Sequence, residues 1–185
     1  MQEKYKYAEF SLQFLKITKV ILEENIKRNN TQSTELVSMS KTDFEDYFYD
    51  VTKYSDYSIW IPLIYNFYHG VELCLKNIIF LTTNNISKTH DLEELYRNIN
   101  WIKDLKVLEK YIFTEKMENK ILKLFFSEIS PKDFYIYLRY PEVDVSELVW
   151  QEEKILDFYK ELEKDIEFLI KFIVSYTREE AIISK

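Results

Sequence analysis

An all-α fold is what this sequence predicts, and three observations carry the prediction. The 185 residues include one glycine and three prolines, too few for a β-protein, which turns about every 8–12 residues. Apolar residues recur at intervals of three and four over long stretches, the spacing that lines one face of a helix. Between those stretches stand short polar segments that begin or end with capping residues. Hydrophobic residues make up 46% and charged residues 31%, a globular balance, and the length suits a single helical domain, 1–185, with a core of its own.

Each element follows from its own residues. From residue 2 to about residue 27, Ala8, Leu12, Leu15, Leu22 and Ile26 recur at helical spacing, and Phe14, Ile17 and Ile21 widen the stripe. Residues 28–34, "RNNTQST", form a polar loop. Ser40, with Asp43 three positions on, caps a short helix through "DFEDYFYDVTKY". Pro62 belongs in the first turn of the next helix, where a missing N–H costs nothing. That helix runs to about Thr82 and stops at Asn84 and Asn85. Thr89 or Asp91 caps "LEELYRNI", and helical stretches follow over about 102–113 and 115–126. In "SPKDFYIYLRYP" a serine cap, Ser130, precedes Pro131 at the first position and Asp133 near the positive helix end; Pro141 closes the helix. Ser146 caps the last and longest helix, in which Ile155, Phe158, Leu162, Ile166, Leu169, Ile173 and Tyr176 recur every three or four residues.

Charge and cysteine usage narrow the setting. A net charge of −7 disfavours broad attraction to nucleic acid or anionic membrane, and leaves local phosphate contacts open. The single cysteine, Cys74, rules out an internal disulfide and suits a reducing cytosol. "MQEKYKYAEF" lacks the apolar core of a secretion signal. The most apolar run, 59–81, is broken by His69, Glu72 and Lys76, and a charge at a bilayer centre costs about 2.5–3.5 kcal/mol. A cytoplasmic chain without a membrane segment is expected. One glycine cannot build a phosphate-cradling loop, which excludes P-loop and Rossmann sites. HExxH, a cysteine cluster and Glu-x-x-His are all missing, so neither metal nor cofactor is expected. Segment 44–60 interleaves aromatics with Asp43, Glu45, Asp46, Asp50 and Asp56; carboxylates repel phosphates, which favours packing or a subunit contact over base stacking.

Both histidines fall within "YNFYHGVELCLKNIIFLTTNNISKTHDLEEL". At about 100° per residue, Asn66, His69, Glu72, Lys76 and Asn77 share one side of the helix. Ile64, Phe67, Val71, Leu75, Ile78 and Leu81 fill the other. Glu72 and Lys76 form an i,i+4 pair in the favourable order, worth roughly 0.2–0.5 kcal/mol if the face is solvated. Gly70 favours a covered face instead. A mid-helix glycine costs about 1 kcal/mol relative to alanine and admits another backbone, a second subunit or a ligand. Cys74, between Leu73 and Leu75, reads as a core thiol.

"YHGVELCLKNIIF", then "THDLEEL", then "FYIYLRYPEVD" resembles the HEPN superfamily, the "higher eukaryotes and prokaryotes nucleotide-binding" helical domains. The likeness spans about residues 60–175. It implies an antiparallel helical bundle, here with an additional N-terminal helix, paired into a homodimer. It also implies work in RNA cleavage, toxin–antitoxin modules, phage defence or support of a nucleotidyltransferase partner. Ribonuclease members carry an Arg with a His a few positions later. Here Arg139 precedes "YPEVDVSELVW", and no histidine follows His90. The resemblance therefore implies the fold without the complete catalytic pair.

Three readings stand. The first is a dimeric interaction or regulatory protein whose contact surface comprises Asn66, His69, Gly70, Glu72, Lys76, His90, Asp91 and Arg139. The second is a divergent metal-independent ribonuclease, with Arg139 clamping phosphate and His69 or His90 moving the proton. The third is a small-nucleotide site formed by Lys76, His90 and Arg139. Asp91 also suits a purely structural cap, and Arg139 an ion pair with Glu72.

Overall fold

The computed structural model describes residues 5–29, 41–53, 56–139 and 155–183. Among them are the helices α1 (Lys6–Lys27), α2 (Lys41–Thr52), α3 (Asp56–Thr83), α4 (Leu92–Arg97), α5 (Glu109–Ile112), α6 (Lys120–Glu128), α7 (Pro131–Arg139) and α8 (Ile155–Ile183). Two 3₁₀ segments, Lys103–Leu108 and Thr114–Lys116, join the middle ones. No strand occurs among the described residues. The fold is an all-α bundle. Ser40, Pro141 and Ser146 lie outside the described residues.

α1 packs on α3 and α8. Its buried line is Ala8, Ser11, Leu15, Thr18, Leu22 and Asn25, a strict alternation of three and four, the seam of helices that cross at a shallow angle. The expected stripe is therefore corrected on one side: Leu12, Ile21 and Ile26 flank the core, and Ile17 is 52% exposed. Two of the polar residues in the seam, Ser11 and Thr18, have their hydroxyls satisfied by backbone carbonyls. Ser11 Oγ donates to the Gly70 carbonyl at 2.7 Å, and Thr18 Oγ1 to the Phe14 carbonyl at 2.8 Å. Along α8, Ala8 and Leu12 lie by Ile173 and Thr177, whereas Lys19 reaches Glu167 at 3.6 Å. These two helices thus run in opposite directions. At the C-terminal end of α1, Arg28 Nη1 donates to the Asp50 carbonyl of α2 at 3.1 Å.

α3 starts earlier than expected, which puts Pro62 in its interior rather than its first turn. An interior proline costs about 3 kcal/mol. Ile59 and Trp60, just before it, are buried, and each large apolar side chain so placed contributes about 1.5–3 kcal/mol. Trp60 meets Phe125 at 5.9 Å and Phe158 at 6.0 Å, centroid to centroid. Burial upstream outweighs the one lost hydrogen bond. The other end matches expectation: Asn84 takes a left-handed φ of 56°, and its N–H closes on the Phe80 carbonyl at 2.9 Å, the αL cap that asparagine tolerates.

Asp91 caps α4, accepting from the N–H groups of Glu93 (3.0 Å) and Glu94 (3.2 Å). Thr89 braces the cap, accepting from the Asp91 N–H at 3.1 Å. Asp91→Ala is expected to lower stability by about 1 kcal/mol, and Asp91→Asn, which keeps the acceptor, by a fraction of that; urea unfolding of both variants measures the difference.

The helices expected over 102–113 and 115–126 are broken. Ile99, Ile102, Leu105, Leu108 and Tyr111 are buried, spaced by three throughout. That is the 3₁₀ period, not the α period, and the segment winds accordingly before α5. Asn119, accepting from Ile121 N–H at 2.9 Å and Leu122 N–H at 3.2 Å, starts α6 afresh. Ser130 caps α7 as expected, accepting from the Asp133 N–H at 3.1 Å and donating to its carboxylate at 2.7 Å. In α8 the line Ile155, Phe158, Leu162, Ile166, Leu169 and Ile173 is buried. No described helix is long and apolar enough to cross a membrane.

Candidate functional site

The site grows from two turns of α3. Glu72 and Lys76 share one side of that helix, with Lys76 Nζ donating to Glu72 Oε1 at 2.8 Å; their side chains are 8% and 1% exposed for Lys76 and Glu72 respectively. The solvated face is thereby corrected: the pair is buried. α1 crosses α3 elsewhere on that helix, at Gly70. Gly70 makes the crossing possible. A Cβ there would sit 2.9 Å from Leu15 Cγ and Cδ2, and 3.4 Å from the Leu15 backbone nitrogen. The face is covered from within the same chain.

The α3–α4 loop brings in the second histidine. Asn84 reverses the chain and the Asp91 cap fixes where it re-enters a helix, which sets His90 Nδ1 2.9 Å from Glu72 Oε1. An ionised carboxylate only accepts, so Nδ1–H is the donor and, in the neutral ring, the lone pair lies on Nε2. The His90 side chain is 44% exposed. His69 Nδ1 lies 3.9 Å from Glu72 Oε2, long for a hydrogen bond. Its ring stacks on Tyr65 at 5.7 Å and receives Phe14 of α1 edge-on at 4.5 Å. Burial by itself raises the Glu72 carboxyl; His69, the hydrogen bond and charge of Lys76, and the charge of His90 outweigh it and hold the group down at about 2.

Of the residues singled out in sequence, the fold gathers His69, Glu72, Lys76 and His90 into one cluster, while Gly70 faces Leu15 of α1. Asn66 is half-buried on the same helix and Asn77 buried. Asp91 adjoins the cluster along the chain but serves α4 and Lys132, 3.5 Å away. Arg139 ends α7, and its side chain lies outside the described residues. Cys74 is buried, which pushes its thiol up to about 12 and removes it as a nucleophile.

Sequence reasoning missed the contribution of α1. Phe14 packs on His69 while Ser11 and Leu15 meet Gly70, and the available signal was the three–four alternation that includes Ser11, Thr18 and Asn25. It also missed a second polar chain. Tyr68 Oη donates to the Tyr111 carbonyl at 2.6 Å. Tyr111 Oη donates to Asp165 Oδ2 at 2.6 Å, and Lys110 reaches that carboxylate at 2.7 Å. Burial first, then Asp165, raises the Tyr111 phenol, so it remains a donor. This chain pins α5 between α3 and α8.

Chemically, the cluster offers one ionised carboxylate already neutralised by its neighbours, and one imidazole, that of His90, whose side chain is 44% exposed. No family model, no curated protein and no solved structure matches the sequence or the fold.

Proposed function

We propose that this chain is an interaction or regulatory protein: a HEPN-like, dimeric, antiparallel bundle without complete nuclease machinery. Its setting is RNA-related, toxin–antitoxin or phage-defence biology, in the cytoplasm. It works by pairing with itself or by supporting a protein partner such as a nucleotidyltransferase. The observation that supports this reading best is the buried Glu72–Lys76 pair. A carboxylate held at about 2 is no base near neutrality, and two buried charges that neutralise each other serve the fold.

A second reading, divergent ribonuclease, is favoured by one observation: the Glu72-oriented His90, whose side chain is 44% exposed. There His90 moves the 2′-OH proton and Arg139 clamps the phosphate, without metal. Incubation of the purified protein with mixed RNA in EDTA separates the two. No cleavage is expected. Metal-resistant cleavage that disappears in both His90→Ala and Arg139→Ala overturns the first reading in favour of the second.

A further inference from the structure

α1 carries two seams, and α3 and α8 occupy only one of them. On the outward side, Lys6, Phe10, Gln13, Ile17, Val20 and Glu24 follow one another at intervals of four, three, four, three and four. Phe10, Ile17 and Val20 are 48%, 52% and 57% exposed. Lys6 and Gln13 are exposed as well, and Glu24 is half-buried. A three–four alternation of this kind matches a second helix of the same period, knob into hole.

The order of residues along this seam points to its occupant. Lys6 and Glu24 stand about five whole turns apart, so they share one side of the helix with the apolar residues between them. A two-fold axis through the middle of the seam sets Lys6 against the second copy's Glu24, Phe10 against its Val20, and Gln13 against its Ile17. Each contact then occurs twice, the isologous pattern of a symmetric dimer. The charges match only when the helices run in opposite directions; a parallel pairing sets Lys6 on Lys6 and Glu24 on Glu24. Within its own chain Glu24 already lies 3.4 Å from Lys27 and 3.5 Å from Arg28, exposed pairs that the second copy's Lys6 joins.

We infer that the outward seam of α1 is a homodimer contact, with α1 packed antiparallel on α1 of a second copy. The inference rests on the reading of the chain as a self-pairing protein and assigns that pairing a surface. A single helix pair lies at the small end of specific interfaces, so the expected behaviour is a concentration-dependent monomer–dimer equilibrium.

Sedimentation equilibrium of the full chain, with variants, tests it. Ile17→Glu is expected to leave the helical circular dichroism unchanged and to abolish the dimer. Phe10→Cys and Val20→Cys are expected to cross-link when mixed under oxidation and not when each is alone, since the two-fold separates like positions. Lys6→Glu is expected to weaken the dimer and Lys6→Glu with Glu24→Lys to restore it. A dimer that survives Ile17→Glu overturns the seam and leaves self-pairing intact. Cross-linking of Phe10→Cys to itself overturns the antiparallel arrangement. A wild-type monomer at every concentration overturns both the seam and the self-pairing.

Discussion

Glu72→Ala is expected to lower the unfolding free energy by about 3–5 kcal/mol, the cost of leaving a buried charge without its partner. Lys76 is the charge left behind, with its side chain only 8% exposed. The pH dependence gives the same group a second signature. Its carboxyl is held at about 2 in the folded chain against an ordinary 4.5, so the folded state favours the ionised form. The stabilisation is therefore complete above about pH 4.5 and is lost as pH falls through about 2. At about 1.4 kcal/mol per tenfold change in proton affinity, that gap is worth roughly 3 kcal/mol. Urea unfolding at pH 7, 4.5 and 2.5 measures it, and Glu72→Ala should flatten this part of the acid limb. Removing both partners, as Glu72→Leu with Lys76→Met, is expected to restore most of the loss, because apolar replacements of a buried pair are often neutral. A double variant as unstable as the single one would show that the pair does not account for the loss.

Gly70→Val is expected to cost roughly 3 kcal/mol. Overpacking a tight crossing costs about 1–3 kcal/mol, and forcing α1 outward also stretches the Ser11 bond to the Gly70 carbonyl, worth about 1 kcal/mol. Gly70→Ala is gentler: about 1 kcal/mol of helix propensity offsets part of the clash with Leu15. Leu15 decides the outcome. In the Gly70→Val background, Leu15→Ala should cost much less than the roughly 2–5 kcal/mol it costs alone, because it vacates the space that the valine needs. Purely additive effects in that double-mutant cycle would refute the crossing as the cause.

Helical content, the caps at Asp91 and Ser130, the stop at Asn84 and the buried line of α8 were legible in the residues, since each depends on neighbours a turn away. So was the pairing of Glu72 with Lys76. What lay beyond reach was decided by distant parts of the chain. Whether the pair was wet or dry depended on tertiary packing, with His90 reaching Glu72 from 18 residues on. The start of α3 depended on where Trp60 found Phe125 and Phe158. The winding of 103–108 followed a period of three in Ile99, Ile102, Leu105, Leu108 and Tyr111, a signal present in the sequence but easily taken for an ordinary helix. His90 was visible as a helix-start residue; its seat on Glu72 required the loop to fold back on α3.

The placement of α1 between α3 and α8 also sets the order of assembly. Of its two neighbours, α8 lies far along the chain, so during synthesis the part of the inner seam that α8 covers waits until residues 155–183 have been made. Docking α1 on α8 closes a long loop, and contacts of that kind slow folding more than they weaken the product. A chain caught before that step still shows water the side of α1 at Ala8 and Leu12, beside which Ile173 comes to lie.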